Sequence, residues 1–236
     1  MMKKLSIILP TVNEEKNIKK IVYLINKKFK KDFEIIFIDD NSNDCTQNEI
    51  VEISKKFKNI KYKFRKKRNL STAFLDGLKL SSGQNILLMD SDLQHDPSNI
   101  KNIYSKLIKS NLDMIIGSRF LEKSINYKSG FKKKFRLMLS RIFCFIFGIF
   151  YKPSISDPLS GFFIAKKKIL FVSKGLLFKR GFKVVLDYYF VLRKKINIGE
   201  FPIKMNKRNS GNSKLNFKIL MLIFNQIYFH TKFKFY

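Results

Sequence analysis

The first 120 residues predict an α/β fold with a doubly wound, largely parallel sheet, and three observations carry that prediction. Apolar runs of strand length (Leu5–Leu9, Phe33–Ile38, Ile60–Phe64, Ile86–Met89 and Asp113–Ile116) alternate with stretches of helical spacing. Polar and acidic clusters gather where those runs end, which is where open α/β sheets hold their ligands. With 236 residues and 45% hydrophobic content, the chain has enough apolar material to cover both faces of a sheet.

Each element has its own signal. Leu5–Leu9 reads as a buried strand broken at Pro10, and Asn13 as the N-cap of a helix to about Phe29, with Ile18, Ile21, Val22 and Ile25 on one face. Phe33–Ile38 feeds Asp39-Asp40-Asn41-Ser42-Asn43-Asp44, a turn-forming cluster that must also cap the helix Thr46–Phe57. Asp39 and Asp44 read as turn and cap acids. Leu70–Ser82 is a helix stopped by Ser-Ser-Gly, and the strand Ile86–Met89 drives straight into Asp90-Ser91-Asp92-Leu93-Gln94. Asp96 then caps a helix that has Pro97 in its first turn and runs to about Lys109. Ser156–Phe163 is a turn feeding a strand through about Ala165, and Gly181 opens a helix to about Lys195. Ile198–Met205 is an edge strand because it contains Pro202. Residues 207–215 are a basic, flexible loop before a final apolar helix, Phe217–Phe229.

The charge is extreme: 48 Lys and Arg against 18 Asp and Glu, a formal net charge of +30. Either an anionic partner is involved or a lysine bias covers every surface. Placement helps to choose between them. Lys128, Lys132, Lys133, Lys134, Arg136 and Arg141 fall in one stretch without an acid, followed by the apolar run Ile142–Tyr151. Such a helix can lie in a membrane interface or can be a core helix with a solvated basic start. No run reaches the ~20 apolar residues of a spanning helix, so the expectation is peripheral rather than integral. The N-terminus reads as a first strand, not a signal peptide. Cys45 and Cys144 read as reduced thiols, and His95 and His230 are isolated in sequence, which excludes a His/Cys zinc site. No zinc-finger, helix-turn-helix or aromatic stacking signature supports nucleic-acid binding. A non-catalytic basic module would also leave the ordered acids unexplained.

Asp90, Asp92 and Gln94 offer two carboxylates and an amide oxygen, hard ligands suited to Mg²⁺ or Mn²⁺. The motif has companions in order, Leu-Pro-Thr-Val-Asn-Glu (9–14) and Ile-Asp-Asp-Asn-Ser-Asn-Asp (38–44). Together they resemble the family 2 inverting glycosyltransferases, of GT-A fold. Further matches extend the resemblance to residues 5–215. Gly-Ser-Arg (117–119), Arg136-x-x-x-Ser140, Asp-Pro-Leu-Ser-Gly-Phe-Phe (157–163), Gly-Phe-Lys (181–183) and Arg208-x-x-Gly-x-Ser-Lys-Leu (208–215) are similar to the dolichol/polyprenol-phosphate mannosyltransferase branch. Two departures stand out: Val12 where the family often has Tyr, and Asn41 where it has Gly, though Asn tolerates left-handed turn geometry.

The resemblance implies a GT-A catalytic domain over 1–215, with its acceptor and membrane-interface part at about 120–160, followed by an apolar and basic helix at 216–236. C-terminal amphipathic helices at the membrane interface complete that expectation. The nucleotide sugar would be held by Pro10, Val12, Asn13, Glu14, Asp40 and Asp90, and a divalent cation by Asp90, Asp92 and Gln94. Arg119, Arg136, Ser140, Arg208 and Lys214 would clamp a lipid phosphate, with Asp90, Asp92 and Arg119 at the catalytic centre. Arginine meets phosphate oxygens with a planar fork, and arginines are scarce among the lysines here, so three at motif positions argue for retained chemistry. Arg65, Arg180 and Arg193 are expected to be ordinary surface charge. The implied activity is transfer of a hexose, mannose from GDP-mannose first, to a polyprenyl monophosphate with inversion, on the cytoplasmic face of an anionic membrane. The rivals are UDP-glucose or another donor, and a saccharide hydroxyl acceptor. The hydroxyl reaction would need a general base, for which Asp157 is the only candidate.

Overall fold

The computed structural model describes residues 4–29, 31–121, 131–173, 177–178, 183–203, 205–206 and 217–232, with helical backbone alone at 131–137, 172–173 and 217–220. Strands and helices alternate as β1 (Leu5–Thr11), α1 (Glu15–Lys28), β2 (Phe33–Asp40), α2 (Thr46–Lys56), β3 (Ile60–Arg65), α3 (Leu70–Leu80), β4 (Asn85–Leu88), α4 (Ser98–Lys109) and β5 (Met114–Ser118). After these come α5 (Phe131–Phe150), β6 (Phe163–Lys166), α6 (Lys167–Ser173), α7 (Val184–Leu192), β7 (Ile198–Pro202) and α8 (Phe217–Lys232). The seven strands form one sheet in the order β3-β2-β1-β4-β6-β5-β7. All neighbours run parallel except β6, which is antiparallel to both β4 and β5.

Every residue of β2 is buried, as a strand covered on both faces requires. Side chains alternate across the pleat: Ile8, Ile36, Ile86 and Leu88 join Phe74, Phe147, Leu170, Tyr188 and Ile223 on one side. Ile7, Leu9, Ile35 and Leu87 join Ile21, Ile50 and Ile103 on the other. Helices α1, α2 and α4 therefore cover one face, while α3, α5, α6, α7 and α8 contribute to the other. A buried acid pins the end opposite the acidic clusters. Glu34 accepts from Ser6 Oγ at 2.6 Å and Ser82 N at 2.5 Å, and pairs with Lys61 Nζ at 2.9 Å.

Several expectations change. Pro10 does not end β1; it pairs with Ile38 in β2, and β4 stops pairing at Leu88, opposite Ile8. Its missing N–H therefore falls where the β4 side of the ladder has ended. β6 was expected as a strand, but its reversed insertion between β4 and β5 was not, and α6 directly after it was not expected at all. Asn13 is not the cap of α1, which has Glu14 at that position; Asn13 sits at φ 56° and ties two loops together. Arg65 and Arg193 are not surface charges. The Arg65 side chain is 11% exposed and paired with Asp40 and Asp76, and Arg193 lies over the rings of Tyr151, Tyr189 and Phe190. Arg180 lies outside the described residues.

Candidate active site

The carboxyl ends of β1, β2 and β4 lie side by side, so their three loops form one rim. Asn13 stitches the first two: its Oδ1 accepts from Asn43 N at 3.0 Å, while its own N–H donates to Ser42 Oγ at 2.8 Å. Asp39 is fully buried beneath them, accepting from Ser42 N and Gln47 Nε2 and bonding the Ser42 hydroxyl. Asp44 Oδ1 accepts from Thr46 N at 3.0 Å, so both acids hold turns, as expected. Asn41 takes the left-handed φ of 61°. Glu14 receives Asn17 Nδ2 at 2.6 Å, and Val12 is half-buried beside it.

Asp40 already has partners of its own. Its two oxygens accept from Arg65 Nη1 at 2.7 Å and Asn69 N at 2.8 Å, and it is 5% exposed. Burial, only partly offset by the Asn69 and Arg65 bonds, holds this carboxyl above the usual aspartate range. Asp40 thus anchors β3 and the start of α3 behind the rim through one bond to each oxygen.

The β4 loop carries the acids forward. Leu93, between Asp92 and Gln94, is held at φ 60°, a conformation that costs an L-residue about 1–2 kcal/mol. Its side chain is 5% exposed in the core, and that burial offsets the strain. The result is a tight turn in which Asp92 Oδ1 accepts from Gln94 N at 3.0 Å. Asp92 is 4% exposed. Asp90 differs: its side chain is 48% exposed, with no hydrogen-bond partner among the described residues. A Cβ on Gly161 would stand 2.9 Å from Asp90 Oδ2, so a larger residue there would push the Asp90 carboxylate aside. Asp96 Oδ1 accepts from Ser98 N at 2.8 Å, the capping contact expected at the start of α4.

Because β6 runs antiparallel, its leading loop reaches the same rim and brings Asp157 to Arg119 at the end of β5. Arg119 donates from Nε at 2.7 Å and Nη2 at 2.8 Å to the two oxygens of Asp157, which is fully buried and also accepts from Arg119 N at 3.1 Å. The guanidinium plane is therefore fixed. Phe120 lies between this group and Arg141 of α5, with ring centroids 5.1 and 5.6 Å from the two guanidinium carbons. Lys183, at the start of α7, lies within the electrostatic reach of Arg119, Asp90 and Asp157. Burial first, and then the Arg119 charge, hold its pKa below the ordinary lysine value. Ser140 faces Cys144, whose thiol burial pushes up to about 12.

The structure thus brings together Asp90, Asp92, Arg119, Asp157 and Lys183 around the reversed strand. Arg136 lies on the α5 backbone with its side chain outside the described residues, and Arg208 and Lys214 lie outside them entirely. Two contributors escaped the sequence reading. Lys183 was visible only as part of a motif, and the isolated His95 proves to be a buried ring beneath the acids, tilted on Phe162 at 5.4 Å. Burial keeps that ring below the usual histidine pKa, against the pull of Asp90 and Asp92.

Among the described residues no cluster of three His, Cys, Asp or Glu side chains is gathered as a metal cage. The donor chemistry still fits a hard cation. Asp90 is half-exposed, two residues before the buried Asp92, and makes no hydrogen bond among the described residues, so its carboxylate oxygens are free to meet such a cation.

A mostly parallel α/β sheet with one reversed strand, and acids at the carboxyl rim, defines a GT-A type protein. The chain belongs to glycosyl transferase family 2, whose sequence pattern matches residues 6–171. It is 31% identical over 231 residues to a dolichol-phosphate mannosyltransferase of Pyrococcus furiosus, covering 95% of this chain but 63% of that protein. It is 29% identical to the protein of the same name from Saccharomyces cerevisiae, over 94% of this chain and 85% of that one. Among solved structures, glucosyl-3-phosphoglycerate synthase from Mycobacterium tuberculosis, in complex with Mn²⁺, UDP-glucose and phosphoglyceric acid, superposes with a TM-score of 0.70. That match has 17% identity and covers 97% of this chain and 80% of the other, a likeness of fold.

Proposed function

We propose that the protein transfers a hexose, mannose from GDP-mannose in the first instance, to a polyprenyl monophosphate with inversion at the anomeric carbon. The observation that carries this reading is that a half-exposed carboxylate (Asp90) lies within electrostatic reach of a cationic group, Lys183 with Arg119. One suits the diphosphate side of a donor and the other a phosphate acceptor. The relatives named dolichol-phosphate mannosyltransferase support the same acceptor.

Asp90 and Asp92 would hold Mg²⁺ or Mn²⁺, which when bound neutralises charge on the leaving diphosphate. The protein's own residues do the rest. A phosphate monoester has its second pKa near ~6, so the acceptor oxygen is ionised at neutral pH and needs no strong base. Arg119, fixed in plane by Asp157, and Lys183 draw that dianion towards the sugar and offset the repulsion between two anions. The acceptor oxygen forms its bond to the anomeric carbon as the bond to the diphosphate breaks on the opposite face. Asp157 weighs against the hydroxyl-acceptor rival, because both its oxygens already hold Arg119 and it is shut away from solvent. The roles of Pro10, Val12, Asn13 and Glu14 at the nucleoside, and of Arg136, Ser140, Arg208 and Lys214 at the lipid phosphate, belong to this proposal.

We also place the protein on a membrane, peripherally and on the cytoplasmic face. Phe145 and Phe150 of α5 are 72% and 74% exposed, Met138, Leu139, Ile142, Ile146 and Ile149 are exposed with them, and α8 adds Met221, Phe224 and Tyr228. Phe143 and Phe224 meet edge-on, joining the two helices into one apolar surface. No helix among the described residues is long and apolar enough to cross a membrane. The test of the activity is incubation with a panel of radiolabelled nucleotide sugars, polyprenyl phosphate and Mg²⁺ or Mn²⁺. A chloroform-soluble labelled product from GDP-mannose is expected. Label appearing only in water-soluble saccharide would overturn the acceptor assignment.

A further inference from the structure

His95 is a buried imidazole that none of the chemistry above uses. Its side chain is 4% exposed, and its Nδ1 has no hydrogen-bond partner among the described residues and faces Asp90 Oδ2 at 3.8 Å. That gap is about 1 Å too long for a hydrogen bond. The ring is the fixed member of the pair: it rests on Phe162, and its backbone bridges to Met205. Asp90 is the movable member, half-exposed and without another protein partner among the described residues. Gly161 also lies close to this carboxylate, a Cβ there standing 2.9 Å from Oδ2. A neutral ring cannot set its lone pair against a carboxylate, so the Nδ1–H tautomer is the one that fits this geometry.

We propose that His95 is a positioning residue for Asp90, its Nδ1–H donating to Oδ2 when a divalent cation and a nucleoside diphosphate occupy the cleft, so that Oδ1 is held towards them. The proposal rests on the reading that Asp90 helps to hold that cation. Carboxylates that ligate metals are commonly held by a second hydrogen-bonding group, and loss of such a group typically weakens metal binding about 10–100-fold.

The test measures Mn²⁺ binding in the presence of GDP by electron paramagnetic resonance titration, for the wild type, His95→Leu and His95→Asn. Asparagine places an amide nitrogen close to the position of Nδ1, so His95→Asn should stay within a few-fold of the wild type while His95→Leu weakens Mn²⁺ at least about 10-fold. Equal affinity in wild type and His95→Leu would overturn the proposal while leaving the cation site intact. No Mn²⁺ binding by the folded wild type, checked with UDP as well, would instead overturn the cation reading and this proposal with it. If His95→Leu does not fold, the ¹⁵N shift of the His95 imidazole in the wild type decides. With Mg²⁺ and GDP bound, Nδ1 should carry a proton, and an unprotonated Nδ1 refutes the role. Nitrogen hyperfine coupling to bound Mn²⁺ would make His95 a direct ligand and also refute it.

Discussion

Removing the Arg119 side chain should cost this protein about 3–5 kcal/mol of stability, the range for breaking a buried ion pair by deleting one partner. Asp157 is 0% exposed and the Arg119 side chain 20%, so solvent cannot replace the lost partner. Two charge-assisted bonds, at 2.7 and 2.8 Å, disappear in Arg119→Ala. At about 1.5–3 kcal/mol each they sum to about 3–6 kcal/mol, leaving Asp157 with only the Arg119 N–H, at 3.1 Å, among the described residues. Urea unfolding of wild type and variant, followed by circular dichroism, measures the difference. Lys55→Ala is the control, because its pairing with Glu52 is on the open surface and its loss should leave the midpoint unchanged. An Arg119→Ala loss under about 1 kcal/mol would refute the claim that this pair is a buried structural clasp. The companion variant Asp157→Asn tests chemistry: its pH–rate profile should keep the wild-type acid-side limb, where a general base would show. Disappearance of one limb would mark Asp157 as a titrating base and return the hydroxyl acceptor to contention.

Asp92→Ala should abolish turnover, and full activity of the purified variant with saturating Mn²⁺ would remove Asp92 from the cation site. Glu34 should impose acid sensitivity. Burial alone would raise its pKa, but Lys61, Ser6 and Ser82 more than offset this and hold it below its ordinary 4.5. Its contribution is therefore present above that value and lost as pH falls through the lowered folded one. Glu34→Gln should cost about 1–3 kcal/mol at pH 7 and progressively less in acid, and an equal cost at both pH values would contradict the linkage. Replacing Phe145 and Phe150 together by Ser should lower binding to anionic vesicles at least about 10-fold without lowering the melting temperature. Wild-type binding should weaken with salt; a double variant that sediments as well as the wild type would clear α5 of membrane contact.

The N-terminal half was legible because its information is local. The apolar runs at 5–9, 33–38 and 86–89 can be buried only as strands, and the acids after them can sit only at their ends. Ile18, Ile21, Val22 and Ile25 identified the face of α1 by spacing alone. What could not be read depends on partners distant in the chain. Nothing within Phe163–Lys166 says that it enters the sheet backwards, because that is decided by β4 and β5 on either side. Arg65 looked like one more surface cation until the fold set Asp40 and Asp76 around it. That Asp40 also holds Arg65 and Asn69 was hidden for the complementary reason. His95 was dismissed as solitary, since sequence distance hides that Asp90 and Phe162 close over it.

A strand that runs backwards begins at the rim where its parallel neighbours finish. The chain leaves the sheet at Arg119 and returns at Asp157, 38 positions later, and the two residues grip each other at the point of departure. Among the described residues between them, Phe147 of α5 and Ile155 are buried in the same core as β4, β5 and β6, so this excursion also covers the sheet it leaves. Its buried positions must therefore stay apolar, because a cavity there would open beneath β4 and β6. The Arg119–Asp157 clasp thus closes the chain around a segment that is part of the core, so any exchange of 120–156 has to carry Phe147 and Ile155 along with it.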